Sequence, residues 1–170
     1  MGRTRKRTSR RELATMARSK DNDEAYIVDI CDEILGLKAR RQHRFDFLCG
    51  DPGKSGRQVR LPVDAYYPEL CLVVEYHERQ HTESVSIFNR MTISGMTRDE
   101  QRKRYDQRRA EVLPQHGITL VVLCHLQFDC NNAKRLRRVP GDRIVIEQRL
   151  ARTGLLTRRP ANSLFSGASL

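Results

Sequence analysis

Two carboxylates set inside apolar runs are the residues of this chain best placed to do chemistry. Asp64 lies in LPVDAYY and Glu75 closes CLVVE, with His77, Glu78, Gln80 and His81 close behind. An acid in a strand that faces a core is costly unless it is paired or bound to a cation. Carboxylates at adjacent strand ends, followed by two imidazoles, suit a hard divalent ion such as Mg2+ or Mn2+, which takes oxygen ligands and keeps several waters. His77 falls on the same strand face as Glu75. His77 or His81 is then an imidazole for orienting or deprotonating a water, or for meeting a phosphate as the imidazolium.

The elements that must position these groups follow from apolar spacing. Ala25, Ile27, Val28, Ile30, Cys31, Ile34 and Leu35 recur at helical intervals, with Ser19 or Asp21 as the cap, Asp23 and Glu24 in the first turn and Gly36 as the stop. Glu24 is thus either an ordinary first-turn acid favoured by the helix dipole or a group that reaches the site and holds a water or a second ion. After the basic stretch 38–43, Phe45, Phe47 and Cys49 alternate as a first strand. The segment 51–56, DPGKSG, reads as a turn, because its Gly-Lys-Ser core lacks the earlier glycine of a phosphate-binding loop.

Residues 58–67 and 70–76 form two further strands, a close pair broken at Pro68-Glu69. Residues 82–97 read as a polar loop. A charged helix over 98–113 is ended by Pro114 and Gly117, and on it Asp106 and Arg109 stand three apart as a pair. ITLVVL, 118–123, is a buried central strand. A short basic helix is expected over 133–138 and an edge strand over 143–146. Helix, three strands, helix, strand is the order of an α/β fold, a mixed β-sheet flanked by helices. The expected organisation is a basic, disordered arm over 1–20, a folded domain over 21–150 and a disordered tail over 151–170.

The net charge of +11 is concentrated at the two ends. Residues 1–20 carry +7 and residues 134–159 another +7, leaving −3 for the rest. A near-neutral domain between basic ends suits a polyanion, most simply DNA. Arg3, Arg5, Lys6, Arg7, Arg10 and Arg11, then Arg40 and Arg41, then Lys134, Arg135, Arg137 and Arg138 are the expected phosphate contacts. With no tryptophan and few aromatics, a stacking platform for single strands is not supported. Five cysteines without CxxC spacing argue against a disulfide framework or a zinc site and for a reducing, cytoplasmic setting. Most sit in apolar runs and are expected to be buried. No apolar stretch has membrane-spanning length, and the N-terminus lacks the apolar core of a signal peptide.

Several spaced motifs together give the chain a likeness. Glu24, Arg40-Arg41-Gln42, Val63-Asp64-Ala65-Tyr66, Val74-Glu75, Gln80-His81, then Asp106, Arg109, Leu113 and Gly117 before ITLVVL follow one order over residues 22–124. The chain so resembles the PD-(D/E)xK nuclease superfamily, and within it the small very-short-patch-repair-like endonucleases. It departs from them at His77, which stands where those relatives have an aspartate and the wider superfamily a lysine.

The resemblance implies a restriction-endonuclease-like fold and a metal-dependent DNA endonuclease of restriction, nicking or repair type. Asp64, Glu75 and the Tyr76 carbonyl would be metal ligands, Glu24 a further one, and Gln80, Asp106 and Arg109 supporting residues. Duplex cutting by so small a domain is most simply done by a homodimer. The alternatives are a non-catalytic DNA-binding protein on the same fold, favoured by His77, or a ribonuclease.

Overall fold

A computed structural model describes residues 22–53, 55–78 and 96–156. Its elements are α1 (Asp23–Leu35), β1 (Arg40–Cys49), β2 (Arg60–Tyr67), β3 (Leu72–His77), α2 (Arg98–Gln115), β4 (Thr119–Cys124) and α3 (Gly141–Ala151). The four strands form one mixed sheet in the order β1-β2-β3-β4. β1/β2 and β2/β3 are antiparallel, and β3/β4 are parallel, joined by a crossover that includes α2. The α/β class and the mixed, helix-flanked sheet are as the sequence predicts.

Helices cover both faces. α1 and α3 pack Ile27, Val28, Cys31, Ile146 and Leu150 against Ala65, Tyr67, Leu72, Val74, Val121 and Leu123. On the other face Leu113 of α2 meets Phe45, Leu48, Leu61, Val63 and Val73. β3 is therefore buried on both sides from Leu72 to Tyr76, as its continuous apolar run requires. The inward residues of β2 divide at Asp64: Leu61 and Val63 belong to the α2 core, Ala65 and Tyr67 to the α1/α3 core.

Local chemistry sets the ends of the elements. α1 starts at Asn22, whose side chain accepts from Glu24 N, and stops at Gly36 in the left-handed region; the expected caps Ser19 and Asp21 lie outside the described residues. Buried Asp32 then fastens the connection to β1, accepting from Ala39 N at 3.0 Å and the Tyr67 hydroxyl at 2.8 Å. β1 begins at Arg40, five residues before the first expected strand residue, because the basic segment pairs with β2 from Arg40↔Tyr66 onward.

The turn after β1 closes through Gly53 N to Arg57 O and Gly50 N to Val59 O. It is tied to α2 by Arg108, which donates to Cys49 O and Asp51 Oδ1. α2 opens with a Thr97/Glu100 capping box.

Four sequence expectations are corrected. The segment 133–138 is a turn and not a helix: Asn131 Oδ1 accepts from Arg135 N, Lys134 and Arg138 take left-handed backbone, and Cys130 bridges Leu136. Residues 143–146 belong to helix α3 and not to an edge strand. Ile144 is 57% exposed while Ile146 is fully buried, a difference that strand alternation forbids and helical period allows. α2 also runs through Pro114 to Gln115 before Gly117 turns the chain. The five cysteines are free, as expected, but only Cys31 is buried; burial pushes its thiol up to about 12.

Candidate active site

Asp64 and Glu75 meet where β2 and β3 separate. Their last ladder pair is Ala65↔Val74, and the next residues outward are these two acids. There the side chains replace the ladder: Asp64 N donates to Glu75 Oε1 at 3.2 Å, and Tyr76 N donates to Asp64 Oδ2 at 2.8 Å. Each carboxylate is thus fixed by the backbone of the opposite strand. β3 continues beyond this point on β4, pairing Glu75↔Val122 through His77↔Cys124. The divergence opens on the β2 side alone and leaves the acids at its apex.

A third carboxylate arrives from α1. Gln42 Nε2 donates to Glu24 Oε1 at 2.8 Å and lies 3.5 Å from Asp64 Oδ1. Gln42 falls between the pairs Arg41↔Ala65 and His43↔Val63, opposite Asp64, and its backbone is left-handed at φ 51°. For a non-glycine residue in a strand this is an uncommon conformation that the surroundings must impose. Burial, then the Asp64 charge, push the Glu24 carboxyl upward, the Gln42 bond and Arg41 oppose this, and Glu78 adds to the rise.

α2 closes the far side. Arg109 donates from Nε and Nη2 to Pro62 O, holds Asp106 at 3.0 Å and stands 3.6 Å from Glu75 Oε1. His77 Nε2 lies 3.9 Å from Asp106 Oδ1. Glu75 is 5% exposed, and burial together with Asp64 pushes its carboxyl up to about 8, against the pull of Arg109.

Asp64, Glu75, His77, Glu24, Asp106 and Arg109 are therefore brought into one neighbourhood by four elements. The amide of Tyr76 is part of it, while its ring packs toward Phe128. Gln80, His81 and the basic residues Arg3, Arg5, Lys6, Arg7, Arg10 and Arg11 lie outside the described residues. Arg41 bonds Asp29 and Asp32 of α1, and Arg135 and Arg138 bond Asp23. These three arginines have acidic partners on α1 within the fold. Gln42 is the site residue whose function sequence reasoning missed: it stands in the Arg40-Arg41-Gln42 motif, but nothing in its type signals the left-handed turn that aims it.

The donor set fits a hard divalent cation. A buried carboxyl whose proton is held by a neighbouring negative charge is the group that a cation relieves. Asp64 and Glu75 would supply two oxygen ligands, the remainder being water and substrate as Mg2+ commonly has them. Among the described residues no group of three or more His, Cys, Asp and Glu side chains is placed to hold a metal ion on its own. Among them, too, no helix is long and apolar enough to cross a membrane.

No family model, curated protein or solved structure matches the chain.

Proposed function

We propose that this chain is a metal-dependent DNA endonuclease of PD-(D/E)xK type on a restriction-endonuclease-like fold, of the restriction, nicking or repair class. The observation that carries the reading is the pair of cross-strand bonds, Asp64 N to the Glu75 carboxylate and Tyr76 N to the Asp64 carboxylate, at the divergence of β2 and β3, with Glu24 held beside Asp64 by Gln42. Three acids from three elements are held together at a net energetic cost, which is repaid when a cation and a phosphodiester occupy the opening.

Asp64, Glu75 and the Tyr76 carbonyl would hold Mg2+ or Mn2+, and the ion when bound supplies charge neutralisation at the phosphate. Glu24, fixed by Gln42, accepts a hydrogen bond from the attacking water and sets its direction. His77, 3.9 Å from Asp106, or His81 takes the water's proton or contacts the scissile phosphate. Arg109 keeps β2, β3 and α2 in register around these groups and places a fixed positive charge beside Glu75.

Purified Asp64→Asn protein should lose DNA cleavage by on the order of 10²–10³-fold or more while keeping its circular dichroism spectrum. A readout independent of cutting accompanies it: Mn2+ should raise the melting temperature of the wild type but not of Asp64→Asn. Undiminished cleavage by the variant would remove the assignment.

His77 favours a second reading, a DNA-binding protein on this fold without chemistry. Its imidazole lies near Asp106 and stands where the superfamily has a permanently charged lysine. Duplex binding with no nicking in either metal would select that alternative, and cleavage of labelled RNA in place of DNA would select a ribonuclease.

A further inference from the structure

We infer that the groove along α2 beside Glu75 is a backbone-phosphate subsite, taking a phosphodiester of the same duplex DNA whose reacting bond sits at Asp64 and Glu75. The inference rests on the endonuclease reading and assigns it a surface. A cavity of about 340 Å³ runs along this helix, lined by Arg98, Gln101, Arg102, Tyr105, Asp106 and Arg109. Its inner end is the active site itself, because Asp106 and Arg109 line the groove and also approach His77 and Glu75. Its outer end carries Arg98 and Arg102, one helical turn apart on the same face.

The charge of the groove is set by how α2 distributes its acids and bases. Asp106 is balanced by Arg109 at 3.0 Å. Glu100 is drawn into the cap, accepting from Thr97 N and Thr97 Oγ1. Arg104 and Arg108 turn toward Asp51 and the β1–β2 loop. Arg98 has no acidic partner among the described residues, and Arg102 pairs with Asp99 at 3.6 Å. Three arginines against one aspartate line the groove, which gives its wall an excess of positive charge.

Tyr105 ties the wall of the groove to the β1–β2 loop. Its hydroxyl oxygen accepts from Asp51 N at 3.1 Å and from Gln101 Nε2 at 3.2 Å. Two guanidiniums on a groove that opens beside a carboxylate pair match a phosphodiester oxygen pair. They also supply the attraction that a polyanion needs to approach Glu24, Asp64 and Glu75.

Equilibrium binding of a fluorescently labelled mixed-sequence duplex, measured in EDTA over a series of salt concentrations, tests the subsite on the full-length protein. Neutralising Arg98 and Arg102 together (R98Q/R102Q) should make the slope of log K against log salt shallower by about 1 to 2, since each phosphate contact contributes about 0.9. The control Arg152→Gln, beyond the end of α3, should keep the wild-type slope. An unchanged slope in R98Q/R102Q, or an equal change in Arg152→Gln, overturns the subsite and leaves the endonuclease reading standing. A wild type that does not bind the duplex at all overturns both. Melting temperature and circular dichroism verify that R98Q/R102Q is folded; if it is not, Arg98→Gln alone, which breaks no ion pair among the described residues, gives the same reading with a slope change of about 1.

Discussion

Glu75 is 5% exposed, and the guanidinium beside it is shared with Asp106 and the carbonyl of Pro62. Its carboxyl, raised by burial and by Asp64 to about 8 from an ordinary 4.5, binds its proton more tightly folded than unfolded. Linkage then fixes the sign. Its contribution to stability is complete below about 4.5 and is lost as pH rises through about 8. Metal-free protein should accordingly melt at lower temperature at pH 8 than at pH 5. In Glu75→Gln, which keeps an oxygen to accept from Asp64 N, this component of the pH dependence should vanish; thermal melts of both proteins in EDTA check it. Gln42 makes a second prediction at this scale. Gln42→Ala releases Glu24 without removing it, and cleavage should fall by roughly 10–100-fold, the usual effect of losing a residue that orients a site group. Glu24→Ala should cost about as much, and the double variant little more than either, because the two act as one unit. Asp64 and Glu75 are legible in sequence because an acid in an apolar run needs a reason. Gln42 was not, since its role depends on a backbone angle that no residue type announces.

At the scale of elements, the site depends on how α2 is held to the sheet. Arg109 reaches from the helix to Pro62 O in β2 and to Glu75 in β3, and is 13% exposed at its side chain. Arg109→Ala would leave Asp106 and Glu75 without their shared cation and should destabilise the fold by about 3 kcal/mol, the scale of breaking a largely buried ion pair. Arg109→Lys should recover only part of this, for an ammonium cannot keep two bonds to one carbonyl while spanning both acids. Urea denaturation of the three proteins measures it. Sequence periodicity located α1, β2, β3, α2 and β4 because each has a long or strongly patterned apolar set. It failed at α3, where IVI reads as a strand and the Ile146–Leu150 spacing of a buried helical face is outweighed by a short, polar neighbourhood. It failed again at 133–138, where a turn built on the Asn131 side chain competes with helix.

The whole molecule combines a carboxylate cluster with a strongly basic chain. Under the proposed reading, a charge of +11, concentrated toward both ends of the sequence, would supply long-range attraction to DNA, while the acids at the β2/β3 divergence would repel it locally until a cation is present. Binding and cutting should then be separable by metal. The order of elements and the position of the two acids were readable from the chain, but the convergence of Glu24, Gln42, Asp106 and Arg109 on them was not, because it is made by contacts between residues up to 47 apart in sequence. The most direct test is nicking of supercoiled plasmid by wild type and Glu75→Ala, each with Mg2+, with Mn2+ and with EDTA. Wild type should convert the plasmid to nicked or linear form with either metal and not in EDTA, while Glu75→Ala leaves it supercoiled throughout. Equal cutting by both proteins, or a wild type that binds the plasmid and leaves it intact with both metals, would contradict the assignment of Asp64 and Glu75 as the centre of a nuclease.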